Sequence, residues 1–167
     1  MDKTKILFVC LGNICRSPAA QGVMEKLVKE DNLEELIEVD SAGTIAYHVG
    51  ESADPRMTEH AARRGYDLTS IARKFNPETD FDSADYIIAM DNENYKDILG
   101  MDYIGKYRNK IYKMTQFCRK IKTSEVPDPY YKGAEGFEYV LDILEDSCRG
   151  LLERIKDEIG SELEGKD

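Results

Sequence analysis

Strand and helix signals alternate along this chain. That alternation predicts an α/β fold, a parallel sheet with helices on both faces in three layers. Three stretches carry the prediction. Ile6–Val9 and Tyr86–Met90 are short apolar runs of the kind that fill buried parallel strands, and a helical pattern follows each. Between Gly136 and Ile159, the residues Phe137, Val140, Leu141, Leu144, Cys148, Leu151, Leu152, Ile155 and Ile159 form one stripe at spacings of three and four. Such a stripe marks a long helix with one buried face.

The elements follow in order. Thr4–Val9 is the first expected strand. Pro18–Glu30 is a helix with Ala20, Val23, Met24, Leu27 and Val28 on its apolar face; Asp31-Asn32 ends it, unless Leu33 and Leu36 extend it. Glu38–Ser41 reads as the second strand, Ala42-Gly43-Thr44 as a turn, and residues 45–54 as a loop, because they show neither period. Pro55–Arg64 is a helix with proline in its first turn and Gly65 past its end. The third strand, Ala84–Met90, leaves Asp91 at its carboxyl end, ahead of a short helix over Glu93–Leu99. Lys110–Met114 fits a fourth strand with Ile111 inward and the lysines outward, and Thr123–Gly133 is a proline-bearing loop. Gly160–Asp167 is polar and expected to fray. No repeat or linker divides the chain, so a single domain is expected over residues 1–167.

The chemistry is concentrated in Val9-Cys10-Leu11-Gly12-Asn13-Ile14-Cys15-Arg16-Ser17-Pro18. Gly12 and Asn13 tolerate backbone conformations that let the chain curl between strand and helix. Cys10, Arg16 and Ser17 then converge, and the amides from Leu11 to Arg16 join the positive end of a helix dipole to make an anion site. A tetrahedral phosphate fits: Arg16 binds two oxygens in a fork, the amides hold the rest, and Cys10, favoured as a thiolate by such surroundings, attacks phosphorus. Ser17 can stabilise that thiolate when it departs. The plainer alternative is that Cys10 is one more small buried hydrophobe.

Composition narrows the partners. A net charge of -10 argues against nucleic acid or an anionic membrane, both of which select for basic patches. No stretch approaches the length of a membrane span, and the six apolar residues after Lys5 are too few for a secretory core, which suggests a cytoplasmic protein. The four cysteines, 10, 15, 118 and 148, have neither zinc-ligand spacing nor the density of a disulfide scaffold. Cys118 and Cys148 read as core, His48 as a loop residue and His60 as a helix-surface residue.

A second chemical stretch is Val126-Pro127-Asp128-Pro129-Tyr130-Tyr131. The prolines stiffen the segment that carries Asp128, which could protonate a departing oxygen; Asp-Pro is just as usual in surface turns, and the residues alone leave both readings open. Tyr130, Tyr131 and Tyr47 could wall a slot for an aromatic ring, or the first two could simply pack on the last helix.

Cys10-Leu11-Gly12-Asn13-Ile14-Cys15-Arg16-Ser17-Pro18 after an apolar strand resembles the phosphate loop of the low-molecular-weight protein tyrosine phosphatases. Asp40-Ser41-Ala42-Gly43-Thr44, Asp54-Pro55-Arg56, Ala72-Arg73, Met90-Asp91 and Asp128-Pro129-Tyr130 resemble further blocks of that family in the same order. The resemblance implies a flavodoxin-like sheet of four strands in the order 2-1-3-4. It also implies a phosphotyrosine or aryl phosphate substrate, a cysteinyl-phosphate intermediate, inorganic phosphate as product, and no metal or cofactor. Under it Asp128 becomes the proton donor, Tyr130 and Tyr131 lie where relatives grip the ring, and Cys15 protects Cys10 by a reversible disulfide; on the residues themselves, Tyr47 could add a face to the slot, Ser41 could tether Asn13, and Asp91 could pair with Arg16 or nearby loop groups. A monomer is expected. One departure stands out: Ser70 occupies a position where relatives often carry a loop-tuning histidine. An arsenate reductase of the same fold needs cysteines that Tyr86–Leu99 lacks, and a protein-arginine phosphatase tends to have a small hydroxyl residue in place of Ile14. The rival from another class is a non-catalytic phosphate-binding module, which could dispense with Cys10 or Asp128.

Overall fold

The computed structural model describes residues 2–165. Its sheet has four parallel strands, β1 (Thr4–Cys10), β2 (Ile37–Gly43), β3 (Tyr86–Ala89) and β4 (Ile111–Lys113), in the order β2-β1-β3-β4. Five helices connect and cover it: α1 (Arg16–Glu30), α2 (Pro55–Arg63), α3 (Asp80–Ser83), α4 (Asn92–Met101) and α5 (Ala134–Glu164).

Side-chain alternation along β1 separates the layers. Ile6, Phe8 and Cys10 face a core built with Val23 and Met24 of α1, Met57 of α2 and Leu144, Leu151 and Ile155 of α5. Leu7 and Val9 face the opposite core, with Phe81 of α3, Ile98 of α4 and Phe75. A strand buried on both faces has no polar side to show, which is why Ile6–Val9 is a continuous apolar run. This is a flavodoxin-like α/β fold in the strand order expected.

Several boundaries differ from the sequence reading, each for a tertiary reason. Strand β2 starts at Ile37 and continues through Gly43, because it pairs with β1 as far as Cys10. Gly43 is therefore no turn residue: a Cβ there would lie 2.7 Å from the Leu11 carbonyl oxygen, so glycine is needed for close approach to the phosphate loop. Helix α1 begins at Arg16, two residues before Pro18. Asn32, at φ 57°, turns the chain out of α1, and Leu33 and Leu36 pack on the core without extending the helix. Strand β4 stops at Lys113, where Met114–Phe117 forms a 3-10 turn. Lys110 does not simply face outward, since its Nζ donates to the Ala84 carbonyl at 2.7 Å. Helix α5 continues past Ile159, so the polar tail is helical through Glu164, while Lys166 and Asp167 lie outside the described residues. Cys148 is buried, whereas Cys118 is only half-buried.

Candidate active site

The carboxyl ends of β1 and β3 and the amino end of α1 meet at the loop of residues 11–15. Asn13 sits in the left-handed region at φ 60°, and its buried amide is held on three sides. Its Nδ2 donates to Ser17 Oγ at 2.8 Å and to Ser41 Oγ at 3.0 Å, and its Oδ1 accepts from the Arg73 N–H at 3.0 Å. Ser41 in turn donates to Gln21 Oε1 at 2.6 Å. The carbonyls of Cys10, Leu11 and Ile14 accept from the N–H groups of Thr44, Ile45 and Asp54. By contrast, among the described residues no N–H of Gly12, Asn13, Ile14 or Cys15 donates within the chain. N–H donors left unpaired along a loop of this kind are the makings of an anion nest.

Cys10 Sγ lies 2.9 Å from Ser17 Oγ, and both residues are buried. Asn13 already donates to that hydroxyl oxygen, and the alternative acceptor, the Ala42 carbonyl, is 3.4 Å away. The Ser17 proton is therefore best directed at the sulfur.

Arg16 has a side chain only 4% exposed. Its Nη1 donates to Asp91 Oδ2 at 2.6 Å and to the Val126 carbonyl at 3.1 Å, while Nη2 lies 3.7 Å from Asp128 Oδ2. Burial opposes the guanidinium charge, but Cys10, Asp91 and Asp128 outweigh it and raise its pKa. Asp91 caps α4 as well, accepting from the Asn94 N–H at 2.7 Å. Val126 is fixed from behind, its N–H donating to the Met90 carbonyl at 2.9 Å.

Cys10 and Arg16 line a cavity of about 300 Å³ that also takes in Leu11, Ile14 and Asp128. Tyr47 and Tyr131 stand almost fully exposed at its rim, and Tyr130 lies edge-on to Tyr131 with ring centroids 4.9 Å apart. A larger hollow of about 800 Å³ lies between α1, the start of β2 and residues 65–69, and shares no lining residue with this cavity.

Three residues escaped the sequence reading. His48 lines the cavity, hydrogen-bonded to Glu51, and its ring occupies the space a Cβ on Gly12 would need, 2.8 Å from Cδ2. Arg73 reaches the site from a loop and Arg56 from the first turn of α2; only their place in family-like blocks hinted at this. His60 is no mere surface residue: it stacks on Phe137 at 5.5 Å and bonds Glu138 at 2.5 Å. No side-chain hydrogen bond ties Ser70 to the loop among the described residues; that segment contributes the Arg73 N–H instead. Cys15, the last loop residue, is buried and lines the cavity, and burial first, then Asp54 and Cys10, push its thiol pKa well up.

Fold and site together define a class, parallel α/β proteins with a strand-loop-helix cradle that has a cysteine at its base. The family model for low molecular weight phosphotyrosine protein phosphatases matches residues 5–161. The chain belongs to that family and is a protein phosphatase of the low molecular weight kind. A protein tyrosine phosphatase structure from Entamoeba histolytica shares 50% identity with it and a TM-score of 0.90, covering 93% of this chain and 98% of the other. The human low molecular weight phosphotyrosine protein phosphatase is 37% identical over 150 residues, 89% of this chain and 94% of that protein. The structure of a Drosophila arginine phosphatase shares 31% identity and a TM-score of 0.84, over 92% of this chain and 98% of its own.

Proposed function

We propose that the protein hydrolyses phosphotyrosine and other aryl phosphate monoesters through a cysteinyl-phosphate intermediate. The observation that carries this reading is the 2.9 Å contact of Cys10 Sγ with Ser17 Oγ at the base of the cavity that Arg16 and Asp128 also line. The Cys10 thiolate attacks phosphorus as the ester P–O bond breaks, and Asp128 gives its proton to the departing phenolate oxygen. Asp128, now a carboxylate, takes a proton from water as that water attacks the phosphoenzyme; the S–P bond breaks, inorganic phosphate leaves, and Ser17 receives the sulfur as an anion. Arg16 and the loop amides hold the equatorial oxygens in both steps. These steps balance without metal or cofactor.

The tyrosine rim and Ile14 favour an aryl ester over phosphoarginine, although one relative is an arginine phosphatase. Hepes, found in the active site of the Entamoeba relative, carries a sulfonate, a tetrahedral oxyanion of the type this cradle suits. On this reading the enzyme acts on phosphoproteins as a cytoplasmic monomer; no described helix is long and apolar enough to cross a membrane.

Assays on phosphotyrosine and phosphoarginine peptides test the substrate, and Asp128→Ala tests the acid. Loss of the acid should lower kcat/KM for phosphotyrosine by about 10²–10³. Its phenol leaving group has a pKa of about 10. A nitrophenyl ester, whose anion is far more stable, should lose much less. Equal small losses for both esters would place the acid elsewhere, and a preference for phosphoarginine would overturn the substrate.

A further inference from the structure

Segment 127–133 carries the proposed acid, yet it is poorly fastened. Among the described residues, one hydrogen bond ties it to a part of the chain distant in sequence: Arg56 Nη1 donates to the Tyr130 carbonyl at 2.9 Å, beside the looser 3.7 Å ion pair of Asp128 with Arg16. The other hydrogen bonds are local, within the segment or at its junction with α5, and one of them is the Tyr130 N–H to Asp128 Oδ1 at 3.0 Å. The peptide units on either side of Tyr130 therefore join Arg56 to the acid.

Arg56 is itself built in. Asp54, buried and at the amino end of α2, accepts from Arg56 Nε at 3.2 Å and Nη2 at 2.9 Å. Burial works against the Asp54 charge, but the bonds from Arg56 and the backbone overcome it and hold its pKa down. The guanidinium faces the rings of Tyr130 and Phe137, with centroid distances of 5.1 and 5.0 Å. Asp54 also reaches the phosphate loop, since its N–H donates to the Ile14 carbonyl at 2.8 Å.

We propose that Arg56 is a positioning residue for the acid. The strut Ile14–Asp54–Arg56–Tyr130 sets the height of Asp128 above the phosphate loop by fixing one loop against the other. A planar fork with a third donor to spare suits this task, because two nitrogens can serve the carboxylate while the third serves the carbonyl. Lysine offers a point charge and cannot hold both partners in that geometry. The inference rests on Asp128 as the proton donor.

The test compares Arg56→Lys and Arg56→Ala with wild type on phenyl phosphate and nitrophenyl phosphate, alongside inhibition by inorganic phosphate. Both variants should lower kcat/KM for phenyl phosphate by about 10- to 50-fold and for nitrophenyl phosphate by less than about 3-fold, a fraction of what removing an acid costs. The phosphate inhibition constant should hold within about 2-fold, because the loop amides and Arg16 are untouched. In an Asp128→Ala background, Arg56→Lys should add no further contrast between the esters. Equal losses on both esters, or none, in the folded Lys variant would overturn the strut, provided Asp128→Ala alone shows the contrast. If Asp128→Ala shows none, the assignment of the acid is what fails.

Discussion

At the scale of single residues, the site contains two cysteines in opposite conditions. Cys10 has a hydroxyl donor at 2.9 Å, whereas Cys15 is a buried thiol whose pKa is pushed well up. If oxidant converts Cys10 to a sulfenic acid, Cys15 can condense with it, losing water and forming a disulfide that a thiol reductant reopens. The attacking form is the Cys15 thiolate, which is scarce at neutral pH. Trapping should therefore speed up as pH rises from about 7 to 9. Peroxide-inactivated wild type should regain activity with reductant, and Cys15→Ser should regain much less; equal recovery would remove Cys15 from this role. Cys10 and Arg16 could be picked out from the chain, because their chemistry is carried by residue type and close spacing, whereas Asp128 stands out as the acid only through the family resemblance. His48 could not, since nothing near it in sequence signals that its ring would fill the space beside Gly12.

Among the elements, the junction of α5 with residues 118–121 shows how a carboxylate can replace regular structure. Asp146 accepts from the N–H groups of Arg119, Lys120 and Ile121, the last at 2.9 Å, and so caps a stretch that belongs to no strand or helix. Partial burial raises its pKa, but those backbone donors outweigh it and the net shift is downward. A depressed carboxylate stabilises the fold above its unfolded pKa of about 3.9, and that contribution is lost as pH falls through the lower folded value. Asp146→Asn should cost about 1–2 kcal/mol at pH 7. The gap from wild type should narrow as pH falls below about 3.9, through the lower folded value, and denaturant melts at pH 7 and in acid measure it. Element identity was legible from hydrophobic period. The extent of β2, the short α3 and the helical end of α5 were not, because pairing and packing with distant residues decide them.

The whole molecule carries a charge of -10, yet its proposed substrate is an anion. Local donors must overcome a repulsive long-range field, which dissolved salt screens over about 10 Å at 0.1 M. Raising the ionic strength should therefore increase kcat/KM for a phosphopeptide with acidic flanks more than for a small aryl phosphate. Parallel salt titrations of the two substrates check this, and a fall for the acidic peptide would point to a basic docking patch. The sheet order followed from the family resemblance. What joins one loop to another across the mouth of the site did not, since Arg56 and Tyr130 are 74 positions apart.

Gly43 limits how this sequence can drift. It performs no chemistry, yet the carbonyl of Leu11 and the backbone of Gly12 and Asn13 crowd the space where any side chain would begin, at 2.7, 3.0 and 3.1 Å. The obstacle is main chain, so no change of neighbouring side chain relieves it. A descendant that abandoned catalysis and lost Cys10 would still need this glycine to close the loop. Its retention in a relative would thus report an intact loop fold, and only the residue at position 10 would report whether the nucleophile remains.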